Sequence, residues 1–141
     1  MINAVIVGMG RWGQFLVEAV QGKSDKIQFV GGRTRTTSES ASAFAEKHGF
    51  SLTNSYEELL ARDDVDAVVL ASPHSTHAEQ VQLAAKAGKH VLCEKPFTLD
   101  RASAEQSVKA CRDAGVVLGV AHNRRFYPAY TDLQDMVRSG K

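Results

Sequence analysis

The sequence predicts a doubly wound α/β domain, a parallel sheet whose strands are joined by crossover helices. Three observations predict it. Short apolar runs alternate with longer stretches of helical periodicity along all 141 residues, the signature of βα repeats. The runs Ala4–Val7 and Ala67–Leu70 are apolar without interruption, as strands buried on both faces of a parallel sheet read. A glycine-rich turn, Gly8 to Gly13, lies between the first strand and the first helix. The length fits one domain, with no low-complexity segment, no internal linker and no repeat beyond the βα alternation.

Each element has its own justification. Ala4–Val7 is the first strand. In the helix that follows, Phe15, Leu16, Ala19 and Val20 share one face, which is expected to point inward. Ile27–Val30 is the second strand. Ala41, Phe44, Ala45 and His48 follow helical spacing, and Gly49 ends that helix. Ser55 with Glu58 forms a capping box for a short helix carrying Leu59 and Leu60. Ala67–Leu70 is the fourth strand and should lie centrally; the count implies a third strand whose residues are not placed. Thr76 with Glu79 reads as a second capping box, opening a helix with Ala78, Val81 and Ala85 inward and Gly88 at its end. His90–Cys93 is the fifth strand. Asp100 caps a helix running to about Ala114, and Val116–Ala121 is the sixth strand. Tyr130, Leu133, Met136 and Val137 mark a final amphipathic helix.

Composition narrows the function classes. The net charge of +1 excludes the strongly basic balance of a nucleic-acid binder. The two cysteines, Cys93 and Cys111, make no disulfide framework and fit a reducing cytoplasm. No apolar run approaches the ~20 residues of a membrane helix, and Met1-Ile2-Asn3 enters a strand with no basic stretch of a signal peptide before it. No membrane partner is expected.

Gly8-Met9-Gly10-Arg11-Trp12-Gly13 matches G-x-G-x-x-G in the setting that gives it meaning, directly after a strand and opening a helix. Gly8 permits the tight turn, Gly10 lets backbone approach a pyrophosphate, and Gly13 lets the helix sit close to the strand. The free N–H groups and positive dipole end of that helix then face phosphate. This is a dinucleotide-binding Rossmann fingerprint, for which strand order 3-2-1-4-5-6 is expected. Arg11 and Trp12 sit within the cradle; Trp12 either closes over the pyrophosphate or packs. Methyltransferases using S-adenosylmethionine carry a similar turn, so a second residue set must identify the cofactor.

An NAD-binding domain places an acid on the ribose about 20 residues further on. Here the stretch is Gly31-Gly32-Arg33-Thr34-Arg35-Thr36-Thr37-Ser38, with no acid before Glu39. A guanidinium grips a 2′-phosphate in a bidentate way and hydroxyls add bonds. NADP(H) is therefore favoured over NAD(H), with Arg33 as the main clamp and Thr34 and Arg35 in support. The plainer alternative is a solvated basic loop.

Three later segments resemble the Gfo/Idh/MocA oxidoreductases: Ala71-Ser72-Pro73-His74-Ser75-Thr76-His77, then Glu94-Lys95-Pro96 after the fifth strand, then His122-Asn123-Arg124-Arg125-Phe126 after the sixth. The resemblance implies a hydride-transferring dehydrogenase or reductase acting on a sugar, polyol or related hydroxy or carbonyl compound. It implies a catalytic role for Lys95, with Glu94 nearby and a cis bond before Pro96. Physical sense agrees, because ligands of an open α/β sheet lie beyond the carboxyl ends of its strands. Gly8, Pro73, Glu94-Lys95-Pro96 and Asn123 all fall there, and Lys95 could stabilise charge developing on a substrate oxygen. Ser72, Pro73, His77, Glu94, Lys95 and Asn123 complete the expected cofactor contacts.

Plainer readings hold elsewhere. His74 and His77 have ligand-like spacing, but no cysteine or carboxylate set completes a metal site. Cys93 reads as a packed strand cysteine and Cys111 as helical core. The resemblance also implies a second α+β domain, mostly β, that supplies substrate contacts and a histidine acid/base, often as D-x-x-x-H. That pattern does not occur after Asn123. The expected division is residues 1–122 as the nucleotide-binding domain and 123–141 as a connecting segment and helix toward that missing domain. Such a fragment should bind cofactor and turn over poorly, and its exposed last helix could pair with another copy. A non-catalytic nucleotide sensor is the alternative, although it would not need Lys95.

Overall fold

A computed structural model describes residues 1–140. Six strands, β1 (Ile2–Val7), β2 (Ile27–Arg33), β3 (Ser51–Thr53), β4 (Ala67–Leu70), β5 (His90–Cys93) and β6 (Leu118–Val120), form one sheet in the order β3-β2-β1-β4-β5-β6. Every pairing is parallel. This is the expected doubly wound order, with the strand order switching direction between β1 and β4. The helices are α1 (Arg11–Val20), α2 (Glu39–Lys47), α3 (Tyr56–Leu60), α4 (His77–Lys86), α5 (Arg101–Asp113) and α6 (Pro128–Arg138), with single 3₁₀ turns at His74–Thr76 and Asn123–Phe126.

Alternate residues of the central strands feed two cores. Val5, Val7, Val68, Leu70, Val91 and Cys93 meet α3, α4 and α5 on one face. Ala4, Ile6 and Val69 meet α1 and α2 on the other. Each fully buried valine, leucine or isoleucine contributes roughly 1.5–3 kcal/mol, so β1 and β4, apolar on both faces, anchor the domain. The second face is covered from β3 across to β4, where Val69 is buried. Beyond it Leu92 stays 41% exposed, beside an open hollow of about 420 Å³ lined with Trp12, Phe15, Leu16 and Phe126.

Several expectations change on folding. Helix α1 buries Gly13 and Val17, not the Phe15–Ala19 side; Phe15 is 54% exposed and Ala19 is exposed. Gly13 decides this, because a Cβ there would stand 1.9 Å from the carbonyl oxygen of Gly8. The helix touches the sheet at Gly13, so the inward face runs through Val17, with Leu16 and Val20 partly covered. Phe15, about 200° further round from Gly13, turns away.

The Thr76–Glu79 capping box does not form. Thr76 adopts helical φ and ψ instead of the extended conformation an N-cap needs, and its hydroxyl donates to the Pro73 carbonyl at 2.8 Å. Ser55 does cap α3, its Oγ accepting from the Glu58 N–H at 3.1 Å. The Glu58 carboxylate, however, turns to the Thr53 hydroxyl, and that hydroxyl takes the Ser55 N–H at 3.1 Å. Asp100 caps α5 as expected, accepting from the Ser103 N–H at 2.8 Å, which holds its carboxyl below the usual range. Strand β2 runs on through Gly31 and Gly32 to Arg33, β6 is shorter than expected, and Ser51–Thr53 is the third strand.

A candidate cofactor crevice and its lysine

The carboxyl ends of the strands bring the quoted motifs together. Gly8 leaves β1 with φ +103°, and a Cβ on it would lie 2.5 Å from the Ala71 carbonyl oxygen. The turn can therefore lie against the β4 loop only with glycine at this position. Its N–H donates to the Arg33 carbonyl at 2.9 Å, tying the turn to the end of β2. Gly10 differs from both other glycines: a Cβ there meets nothing within 4 Å. The space in front of the α1 N-terminus is open, Gly10 offers no side-chain cap, and the first helical turn holds no acid. The free N–H groups and positive helix end thus face outward uncompensated, and a pyrophosphate fits this cradle.

At the end of β2, Arg33 Nε donates to the Asn54 carbonyl at 3.2 Å. The Thr34 hydroxyl donates to the Thr36 carbonyl at 3.0 Å, and Arg35 is exposed. The loop therefore presents two guanidinium groups among hydroxyls, with Arg33 braced against Asn54.

Between β4, β5 and the turn after β6 lies a crevice of about 330 Å³, lined by Trp12, Ala71, Ser72, His74, His77, Glu94, Lys95, Asn123, Arg124 and Tyr127. Lys95 is exposed and is joined to Pro96 by a cis bond. Glu94 is only 8% exposed. Its Oε1 accepts from the Trp12 indole N–H at 2.7 Å and its Oε2 from the Lys95 backbone N–H at 3.1 Å. The Trp12 nitrogen is bonded to Glu94 while its ring stacks on Phe15 at 5.0 Å.

His77 is 1% exposed, with Nδ1 3.0 Å from the Pro96 carbonyl oxygen and Nε2 3.0 Å from that of Ser72. Both nitrogens face loop carbonyls, one of them taking the single N–H of a neutral ring, so the ring borders the crevice with its polar atoms turned to the Ser72 and Pro96 backbone. The Ser72 hydroxyl donates to Gln80 Oε1 at 2.5 Å. Pro73 caps the following 3₁₀ turn and is not among the crevice's lining residues, whereas its neighbours Ser72 and His74 are. Buried Gln80 escaped the sequence reading; the only signal was a polar residue three positions after His77, on the inward face of α4. Arg124 and Tyr127 also line the crevice unforeseen.

Cys93 is fully buried, with its thiol donating to the Glu94 carbonyl at 3.4 Å. Burial, reinforced by the negative charge of Glu94, pushes its pKa up to about 12, so the thiol stays protonated and inert, as a packed strand cysteine should. Among the described residues no group of three or more His, Cys, Asp or Glu could hold a metal, and no helix is long and apolar enough to cross a membrane.

Comparison with known proteins accords with this geometry. A family model described as "Oxidoreductase family, NAD-binding Rossmann fold" matches residues 2–122. A 1,5-anhydro-D-fructose reductase from Ensifer adhaerens is 36% identical over 140 residues, an alignment covering 94% of this chain and 42% of that protein. The scyllo-inositol 2-dehydrogenase (NADP+) of Bacillus subtilis is 36% identical over 137 residues, covering 95% of this chain and 40% of that protein. Among solved structures, a 3-ketoreductase from Actinomadura kijaniata in complex with NADP matches with a TM-score of 0.88 at 30% identity, covering 99% of this chain and 44% of that one. The chain thus spans about two fifths of the length of the curated relatives it matches. On a family match that spans residues 2–122, the chain belongs to the Gfo/Idh/MocA oxidoreductase family, whose NAD-binding Rossmann fold it carries.

Proposed function

We propose that the crevice takes part in hydride transfer between NADP(H) and a sugar, polyol or related hydroxy or carbonyl compound. The observation that carries this reading is the placement of exposed Lys95 beside Asn123 in one crevice with Trp12, two residues from the open cradle at Gly10. Bound there, a nicotinamide ring gives or takes hydride. The chain's own residues do the rest. Backbone N–H groups from Gly10 to Gly13, with Arg11 at the rim, hold the pyrophosphate. Arg33 grips the ribose 2′-phosphate, with Thr34 and Arg35 adding bonds, while Ser72, His77, Glu94 and Asn123 shape the nicotinamide end and Pro73 starts the turn between Ser72 and His77. Lys95 orients the substrate oxygen and stabilises the negative charge that grows on it.

The relatives support this choice: one acts on 1,5-anhydro-D-fructose by name, and both a scyllo-inositol and a D-xylose dehydrogenase are named for NADP+. Membership of this family removes the methyltransferase alternative. Proton transfer at the substrate oxygen calls for a partner acid/base, and in this crevice His77 and Glu94 are already engaged. Spanning about two fifths of its curated relatives, this chain by itself is expected to bind nucleotide and turn over poorly. Exposed His74 is the one imidazole lining the crevice with its ring outside these loop contacts.

Calorimetric titration with NADP(H) and NAD(H), beside an Arg33→Ala variant, tests the proposal. The expected outcome is at least tenfold tighter NADP(H) binding, about 1.4 kcal/mol, erased in the variant. Equal or tighter NAD(H) binding would overturn the Arg33 assignment. Binding of neither nucleotide would overturn the cofactor reading itself.

A further inference from the structure

A lysine on a loop is useful only if its backbone is held, and the groups that hold Lys95 lead back to the nucleotide turn. Trp12 is the second residue of α1, two positions after Gly10. Its indole N–H reaches across the crevice to Glu94 at 2.7 Å, a bond of charge-assisted length. The other oxygen of the same carboxylate takes the Lys95 N–H at 3.1 Å. Glu94 makes no ion pair with the Lys95 ammonium: the ion pairs among the described residues are Arg62–Asp64, Arg101–Glu105 and Lys109–Asp113. The carboxylate thus fixes the lysine's backbone and leaves Nζ free for a substrate oxygen.

Both ends of this bridge are braced. The Trp12 ring lies on Phe15 at an interplanar angle of 21°. The Glu94 backbone N–H is bonded to the Leu70 carbonyl at 2.9 Å. Movement of one end therefore passes to the other through a single carboxylate.

We propose that the Trp12–Glu94 hydrogen bond is a latch that couples occupancy of the glycine turn to the position of Lys95. Glu94 is in this view a positioning residue, not a catalytic one. A nucleotide that shifts the start of α1 changes how Glu94 holds Lys95, and a loosened Lys95 loop in turn weakens the nucleotide, because coupling between sites is reciprocal. The proposal rests on the reading of the crevice as a dinucleotide site.

Trp12 is the chain's single tryptophan, so one indole N–H resonance and the whole tryptophan emission report this contact. The test uses Trp12→Phe, which keeps an aromatic ring on Phe15 but has no N–H, then Glu94→Gln, which offers one acceptor oxygen instead of two, and the double variant. In nucleotide-free protein the Lys95 amide resonance should move in the same direction in both single variants, although position 12 is distant in sequence. With NADP(H), each single variant should bind several-fold more weakly, and the double variant no more weakly than the worse single one, the behaviour of residues acting as one unit. An unmoved Lys95 amide in Trp12→Phe, or losses that multiply in the double variant, would overturn the latch. If the unmodified chain bound no nucleotide, the cofactor reading would fail, while the Lys95 amide comparison would still decide the contact between Trp12 and Lys95. If Glu94→Gln did not fold, Trp12→Phe and the amide comparison would decide it alone.

Discussion

Two glycines of the same motif are required for different reasons. A Cβ on Gly13 would strike the Gly8 carbonyl oxygen at 1.9 Å, and backbone cannot step aside, so Gly13→Ala should cost about 3 kcal/mol or more in urea unfolding. A Cβ on Gly10 meets nothing. Gly10→Ala should stay within about 1 kcal/mol of the parent's stability, the scale of an N-cap change, while NADP(H) affinity measured by calorimetry falls at least tenfold. Equal losses of stability in the two variants would mean that Gly10 is also required for packing and not for ligand. His77 gives a third case at this scale. Replacing it with alanine removes the one ring N–H that the part-buried Ser72 and Pro96 carbonyls have within reach, and at roughly 1–3 kcal/mol for an unsatisfied group the loss should show as a drop in the urea midpoint.

At the level of elements, period and face separate. The periodicity of Phe15, Leu16, Ala19 and Val20 that marked a helix after the glycine turn was legible, but the rotation of that helix was not. Apolar residues on both sides of α1 competed for the inward position, and close contact at Gly13 settled it in favour of Val17. Val17→Ala should therefore cost about 1.5–3 kcal/mol, the value of a buried valine, and Phe15→Ser should cost less, about 0.5–1.5 kcal/mol, the value of its stack on Trp12. The reverse order in thermal or urea unfolding would restore the face expected from sequence. Caps show the same division. Ser55 capped its helix because its extended backbone allowed it, and Ser55→Ala should cost about 1 kcal/mol. Thr76 has the same side-chain chemistry, but the 3₁₀ turn that precedes α4 takes it out of the capping conformation.

For the whole molecule, three buried acids, Cys93, Tyr56 and Cys111, weigh against stability at alkaline pH. Burial pushes the Cys93 thiol from near 9 up to about 12 and moves the Tyr56 phenol upward as well. In the unfolded chain these groups release protons at their ordinary values while the folded protein still holds them. Stability should thus be undiminished by these groups below about pH 9 and fall as pH rises from there toward 12. Urea unfolding followed between pH 8 and 11 should show that decline, and Cys93→Ala should flatten it. An equally steep decline in the variant would assign the slope to Tyr56 or other groups. Cys93 should also resist alkylation at pH 8 in the native state, its thiolate being both scarce and covered.

The sequence by itself determined the βα alternation, the strand order and the identity of the loops that meet at the carboxyl edge. Those follow from local patterns: apolar runs, helical periods, and a glycine turn that makes sense only after a strand. Tertiary structure alone decided which face of α1 turned inward, where the short third strand lay, and what His77, Gln80 and Glu94 touch. The physical reason is range. A glycine's need for space or a capping serine acts within a few residues, whereas the bond from Trp12 to Glu94 spans 82 positions and exists only once the sheet has brought β1 and β5 to the same edge.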